Sequence, residues 1–419
     1  MTRPAVKGRL AYVVPARASM VVAVLAAVVL SWLSFASAAG AAPSALQSRL
    51  DRALAVPHVN LAASAAFALD LDTGEAVYSR NASMPLIPAS NEKLAVTYAA
   101  LTALGPSFTI ETDVLGSGQQ VDTAWQGNLV LKGYGDPTLS SADLSVLARQ
   151  VRAAGITRVT GGVVADESWF DTRRTAPGWK ASFYIDESPP LSALIVDRGV
   201  AGRFTSHDPA LAAGQLFRAA LVRAGVAVAG GATHGVADDT AVPIAAVDSP
   251  PLSAIVRWMD HVSDNFEAEM LLKELGAVQA YSGTTAAGVG VVAGLLVQAG
   301  VPMTGVRLVD GSGLSLLDRF TTSSLVSLLT AMWNDPGVRP ELLASLPVAG
   351  RSGTLADRMR GTAAAGVVLA KTGTTSNASA LSGFVGDRYV FSILQNGWPI
   401  SWSWARIAQD RFAAVLASQ

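Results

Sequence analysis

Pro88-Ala89-Ser90-Asn91-Glu92-Lys93-Leu94 places a small serine at the start of a helical pattern and a lysine three residues later. Residues three apart share a helical face, so the Ser90 hydroxyl and the Lys93 amine can meet. A serine hydroxyl becomes a useful nucleophile only when an adjacent base takes its proton. A lysine can be that base once burial disfavours its charged form. The helix N-terminus adds N–H donors and partial positive charge where an oxyanion would form. The same residues also describe an N-cap serine with a surface lysine, so the run needs partners elsewhere before it carries chemistry.

Composition narrows what those partners can be. The chain has 419 residues, half of them hydrophobic, with a formal net charge of −1 and no cysteine. That length supports two domains with real cores. The charge offers no basic field for nucleic acid, and disulfides, thiolate nucleophiles and cysteine metal sites are excluded. The four histidines show no H-E-x-x-H spacing, and no G-x-S-x-G elbow accompanies them, which argues against a zinc hydrolase and a Ser-His-Asp triad. Only six of the 31 basic residues are lysine. Arginine cannot be deprotonated in proteins, so a general base must be one of those six.

The first residues bear on compartment. Arg3, Lys7, Arg9 and Arg17 precede an apolar run from about Met20 to Leu33, followed by Ala36-Ser37-Ala38 and Ala39-Gly40-Ala41. That order predicts a secretory signal over 1–41, hence export to the periplasm, cell wall or medium. If the segment is not cleaved, it would instead anchor the protein in a membrane.

Further along, Ala66 to Leu71 and Ala76 to Ser79 flank Asp72-Thr73-Gly74, which predicts a β-hairpin. From Phe108 the chain changes to short strands and single helices, with a strand at Val159 to Ala165 and helices at Asp143 to Ala154 and Leu211 to Ala224. Longer helices then return, including a nearly all-apolar Ala286 to Ala299 expected to be buried. Three strands and a terminal helix close the chain. The expected division is 42–107 and 243–419 for one domain, with 108–242 inserted between them. The fold class is α+β: an antiparallel sheet covered by helices, plus a large inserted α/β domain.

Two further motifs answer the first. Ser263-Asp264-Asn265 and Lys371-Thr372-Gly373-Thr374 follow it in order, the second at the end of an apolar strand. S-x-x-K, S-D-N and K-T-G together are the signature of penicillin-binding proteins and serine β-lactamases. The chain resembles the D-alanyl-D-alanine carboxypeptidases/endopeptidases of the low-molecular-mass class C penicillin-binding proteins over nearly all of its length after the N-terminal segment. Gly135-Asp136-Pro137-Thr138-Leu139, Pro189-Pro190-Leu191-Ser192-Ala193-Leu194, Ala268-Glu269, Asp310-Gly311-Ser312-Gly313-Leu314-Ser315 and Gly353-Thr354-Leu355 also carry the likeness.

The resemblance implies a β-lactamase/transpeptidase-like fold and hydrolysis of peptidoglycan stem peptides through an acyl-enzyme on Ser90. It assigns Lys93 as base and Ser263 as proton relay to the departing D-alanine. Asn265 would hold the penultimate amide or contact Lys93. Lys371, with Thr372, Gly373 and Thr374, would bind the terminal carboxylate. The N–H groups of Ser90 and Thr374 would form the oxyanion hole. β-Lactams would be covalent inhibitors, and no metal or organic cofactor is required. Asp166, at a strand end, resembles a family acidic position that could receive a stem-peptide ammonium, although a turn aspartate explains it equally well.

Two alternatives stay open here. A β-lactamase needs a deacylating glutamate, and no E-x-x-L-N loop follows Ser263. A catalytically silent wall-binding protein would not need every motif residue together. Glu92 is expected to project away from Lys93, and polar Thr375 departs from the apolar residue usual after the K-T-G strand.

Overall fold

The early hairpin and the three late apolar runs join in one sheet in the computed structural model, which describes residues 44–419. The expected signal segment lies outside the described residues. The chain runs α1 (Ala45–Leu54), β1 (Ser64–Asp70), β2 (Ala76–Arg80) and α2 (Lys93–Ala103). Next come β3 (Glu111–Val121), β4 (Ala124–Gly133), α3 (Ser141–Ala153), β5 (Arg158–Val159) and β6 (Val163–Asp166). A short pair, β7 (Val200–Ala201) and β8 (Phe204–Thr205), precedes α4 (Pro209–Arg223), β9 (Ala227–Val228), β10 (Ala232–His234) and β11 (Val242–Asp248). Helices α5 (Leu252–Val262), α6 (Asn265–Ala280), α7 (Thr285–Gln298), α8 (Thr322–Asn334) and α9 (Arg339–Ser345) follow. The chain ends with β12 (Val368–Thr374), β13 (Ala378–Val385), β14 (Tyr389–Asn396) and α10 (Trp402–Ala417).

The first sheet is antiparallel in the order β12-β13-β14-β1-β2. Alternate residues of its strands enter two cores. Ala380, Phe384, Val390 and Leu394 face α2 and α5 to α8, while Leu381, Val385, Phe391 and Ile393 face α1 and α10. Helices on both faces explain why β13 is buried at all eight positions, its two serines included. Between β12 and β13, Thr375 Oγ1 accepts the N–H groups of Asn377 and Ala378 at 3.3 and 3.1 Å. The departure from an apolar residue is therefore a turn-forming one.

The second sheet, ordered β10-β6-β4-β3-β11, lies between Glu111 and Asp248 and packs against α3 and α4. Its last strand begins where the expected boundary at 242 falls. The single strand read at 159–165 is two pieces, split at Gly161-Gly162. A Cβ on Gly161 would lie 2.2 Å from Asn128 Oδ1, and one on Gly162 2.2 Å from Gly231 O. Phe170, Leu191 and Ile195 from this part of the chain pack on Phe266, Met270 and Ala277 of α6. Helix α6 thus joins two cores, and Ala45–Gln419 is one compact unit.

The fully buried reading of Ala286 to Ala299 is overturned. In α7 only Thr285, Gly288, Val292 and Leu296 are buried, and Val297 is 61% exposed. A Cβ on Gly288 would lie 1.9 Å from Leu272 O, so small residues let one face of α7 press on α6. The other face is apolar yet covered by nothing among the described residues. No helix among them is long and apolar enough to cross a membrane.

Candidate active site

Ser90 is delivered by a tight turn rather than by the body of a helix. Ala89 to Glu92 form a 3₁₀ turn that feeds α2 at Lys93, and Ala89 has the left-handed φ of 47°. Such a conformation costs an L-residue about 1–2 kcal/mol, so its surroundings must hold it. Asn91 does so: its Nδ2 donates to Lys371 O at 3.0 Å, and its Oδ1 accepts from Ser382 Oγ at 2.5 Å. Glycines permit the close approach. A Cβ on Gly313, whose φ is +79°, would meet Ala89 O at 2.0 Å, and one on Gly373 would meet Pro88 O at 2.9 Å.

The second motif is a corner between two helices. Ser263 ends α5 in the left-handed conformation (φ 64°), and Asp264 caps α6 by accepting from Glu267 N at 3.0 Å. Ser263 and Asn265 are thereby turned toward Ser90. A cavity of about 530 Å³ is lined by Ser90, Ser263, Asn265, Thr372 and Thr374, among others. Lys93, Lys371 and Gly373 are buried behind it.

Lys93 Nζ has three neighbours: Ser90 Oγ at 3.0 Å, Asn265 Oδ1 at 2.8 Å and Ser312 O at 2.7 Å. The Asn265 orientation is set by its Nδ2 donating to Glu187 O at 3.0 Å. Asn265 Oδ1 and Ser312 O can only accept. A neutral amine has two N–H groups and one lone pair, so those acceptors take both hydrogens and leave the lone pair for the Ser90 hydroxyl.

Burial makes that neutral form far more accessible than in a free lysine. Complete burial drives the Lys93 pKa down to about 8, while the charges of Asp310, Asp264, Glu269 and Asp260 pull the other way. The acids beside it are themselves poor counter-charges. Burial and the nearby Asp310 and Glu269 charges hold Glu92 well above the usual carboxylate range. Glu269 is pushed up to about 8 by burial first and Asp310 second. Lys371 is lowered to about 7 by burial and by the Lys93 charge.

The Ser312 carbonyl is placed by a buried loop. Glu269 Oε1 accepts from Gly311 N at 3.0 Å and Ser312 N at 2.8 Å. Asp310 accepts from Gly313 N, Ser315 N and Trp179 Nε1, each at 2.8 Å. At the far side of the cavity, Thr372 Oγ1 donates to Thr354 Oγ1 at 2.7 Å, and Arg406 Nη2 approaches Thr374 Oγ1 at 3.4 Å.

Eight of the nine expected site residues are brought together, and Asp166 is not. Its carboxylate is fully buried at the end of β6, accepting from Ser168 N and Ala237 N at 2.9 and 2.8 Å, with Lys132 Nζ 3.8 Å away. Its neighbours Ala165 and Glu167 line a different cavity, of about 610 Å³. Glu92 also differs from expectation: it is buried beside Lys93 because the turn before α2 is 3₁₀, which rotates residue 92 inward. Sequence reasoning missed Glu187, Thr354, Asp357 and Arg406 on the cavity wall. Of these only Thr354 stood in a quoted motif.

Comparisons with known proteins identify the family. The chain matches the profile of the D-Ala-D-Ala carboxypeptidase 3 (S13) family over residues 46–203 and 200–419. It is 34% identical to a D-alanyl-D-alanine carboxypeptidase of Actinomadura sp. (strain R39), over 87% of this chain and 83% of that protein. It is 35% identical to carboxypeptidase DacB of Mycolicibacterium smegmatis, over 89% and 84% of the two chains. The crystal structure of penicillin binding protein 4 (dacB) from Haemophilus influenzae shares the fold, with a TM-score of 0.78 at 21% identity over 88% of this chain and 98% of that one.

Proposed function

The chain belongs to the D-Ala-D-Ala carboxypeptidase 3 (S13) family, and on that premise we propose that its serine carboxypeptidase chemistry runs through Ser90, Lys93, Ser263, Asn265 and Lys371. The observation that carries this reading is the set of three contacts around Lys93 Nζ, which leaves its lone pair for Ser90.

In the proposed cycle neutral Lys93 takes the Ser90 proton as Oγ attacks the carbonyl of the penultimate D-alanine. The oxyanion is met by the N–H groups of Ser90 and Thr374; losing one such donor typically costs about 10²–10³ in rate. Collapse breaks the peptide bond, and the proton passes through Ser263 to the leaving D-alanine amine. Water then enters and gives a proton to Lys93 as its oxygen adds to the acyl carbon, and Lys93 hands that proton to Ser90 Oγ as the Ser90 ester bond breaks and the shortened peptide leaves. Asn265 holds Lys93 through Oδ1.

At the far end Lys371, the Thr372 and Thr374 hydroxyls and Arg406 receive the terminal carboxylate. Gly373 supports this by letting β12 lie against the Ser90 turn. That carboxylate also sets the protonation pattern. Its negative charge beside Lys371 restores the Lys371 ammonium, and a charged Lys371 further disfavours protonation of Lys93. Substrate binding thus prepares the base. β-Lactams, which carry a comparable carboxylate, are proposed to acylate Ser90 by the same steps. The substrate class is the stem peptide of peptidoglycan, which places the site of action outside the cytoplasm.

Digestion of purified muropeptides followed by mass analysis tests the activity. Loss of one terminal alanine supports the carboxypeptidase reading, and additional loss of a cross-link adds endopeptidase activity. Muropeptides returned unchanged would refute both.

A further inference from the structure

Both acceptors that hold the Lys93 hydrogens, Asn265 Oδ1 and Ser312 O, are themselves placed by one loop, residues 174–191. The loop leaves and rejoins the part of the chain that carries the second sheet at a closed neck. There Leu191 N donates to Arg174 O at 3.0 Å, and Arg174 Nη1 donates to Leu191 O at 3.1 Å. Arg174 is fixed in turn by Glu167, whose Oε1 accepts from its Nη2 at 2.7 Å. No residue from 177 to 187 is buried, so polar contacts rather than a core of its own hold the tip of the loop.

Those contacts reach both walls of the Ser90 cavity. On one side Gly178 O accepts from Leu316 N at 3.4 Å, and Trp179 Nε1 donates to Asp310 Oδ2 at 2.8 Å. Gly178 (φ +80°) permits the approach, since a Cβ there would lie 2.2 Å from Ser315 Oγ. Asp310 also gathers Gly313 N, Ser315 N and the Ser312 hydroxyl, and so folds the turn that carries Ser312 O to Lys93. Lys180 Nζ donates to Ser376 Oγ at 2.7 Å, just beyond the end of β12. On the other side Glu187 O takes the Asn265 Nδ2 hydrogen, which leaves Oδ1 for Lys93.

We propose that this loop is a positioning strap, in which Trp179 and the Glu187 carbonyl aim the Lys93 lone pair at Ser90 from opposite sides; the inference rests on Lys93 being the base. The strap fixes directions. Held by Glu187 O, the Asn265 amide presents an acceptor to Lys93; released, it can turn and offer Nδ2, a donor that occupies the lone pair instead. Without Trp179, the buried Asp310 carboxylate keeps three of its four donors, and the Ser312 turn loosens with it. Trp179 is not on the cavity wall, so it acts through Asp310 as a positioning residue. The second-sheet part of the chain thereby takes a share in setting the base.

Stopped-flow acylation of the full chain by benzylpenicillin tests this, because it resolves the limiting acylation rate from the half-saturating concentration. Trp179→Phe keeps a ring and removes the N–H. It is expected to lower the limiting rate about tenfold to a hundredfold, with the half-saturating concentration within about twofold of the wild type. A variant that was merely less stable would acylate a smaller fraction of molecules at the wild-type rate. In an Asp310→Asn background the same change should cost less than about twofold, because the charge it serves is gone. A folded Trp179→Phe variant with the wild-type limiting rate would overturn the strap while leaving Ser90 and Lys93 in their roles, and so would full additivity of the two changes. A wild-type protein that is never acylated would overturn the strap together with the base it serves.

Discussion

Raising the pH is expected to switch on Ser90 through Lys93. At the ordinary lysine value of 10.5, about 0.03% of the amine is neutral at pH 7; at about 8 the neutral share is about 10%. Burial thus raises the supply of free base roughly 300-fold. The second-order rate constant for acylation by benzylpenicillin should climb nearly tenfold per pH unit below about 7, where neutral Lys93 is scarce, and fall again above about 8, where Lys371 has lost the charge that receives the carboxylate. Lys93→Met fills the same volume without a base, and should lose about 10²–10⁴ in that constant together with the ascending limb.

Stability separates this loss from unfolding. The folded pKa of Lys93 is below its unfolded value, so the buried ammonium costs roughly 3 kcal/mol below pH 8, a cost relieved as the pH rises from about 8 toward 10.5. Methionine removes that cost but strands Asn265 Oδ1 and Ser312 O, at about 1–3 kcal/mol each. The two terms oppose each other, so the variant should melt within about 3 kcal/mol of the wild type and stay folded. A flat pH profile from about pH 6 to about pH 9, or a folded Lys93→Met variant with near-normal acylation, would place the base elsewhere.

Other consequences follow from the walls of the site. Gly313→Ala forces a left-handed alanine against Ala89 O, so it should cost about 1–3 kcal/mol by thermal melting and slow acylation by displacing the Ser90 turn. A D-Ala-D-Ala peptide ending in a carboxamide should show kcat/KM lowered by about 10- to 100-fold, because Lys371 loses its charged partner. Equal turnover of acid and amide would remove Lys371 from carboxylate binding.

How much of this was readable beforehand depended on whether the information is local. The Ser90–Lys93 spacing, the Ser263-Asp264-Asn265 run and the strand ending in Lys371-Thr372-Gly373 are short-range patterns, and they converge on one cavity. The hairpin at 64–80 was legible because its alternation and turn residues lie within one stretch. Glu92 was misjudged because regular helical geometry was assumed where the chain makes a 3₁₀ turn. Helix α7 was misjudged because apolar composition cannot report whether a second face is covered. Asp166 looked like a ligand for a cation because a strand-end acid resembles one, but its oxygens are occupied by the backbone N–H groups of Ser168, two residues on, and of Ala237, 71 residues away. The role of Glu269 depends on a contact with residues 311 and 312, more than 40 positions away, and no pattern in sequence announces it.

The central claim is that Ser90 is the nucleophile, and intact-mass measurement after exposure to benzylpenicillin tests it most directly. The wild-type protein is predicted to gain the mass of one penicilloyl group, mapped to the peptide containing Ser90, and the folded Ser90→Ala variant to gain none. An adduct that persists in Ser90→Ala, or a folded wild-type protein that never acquires one, would contradict the account.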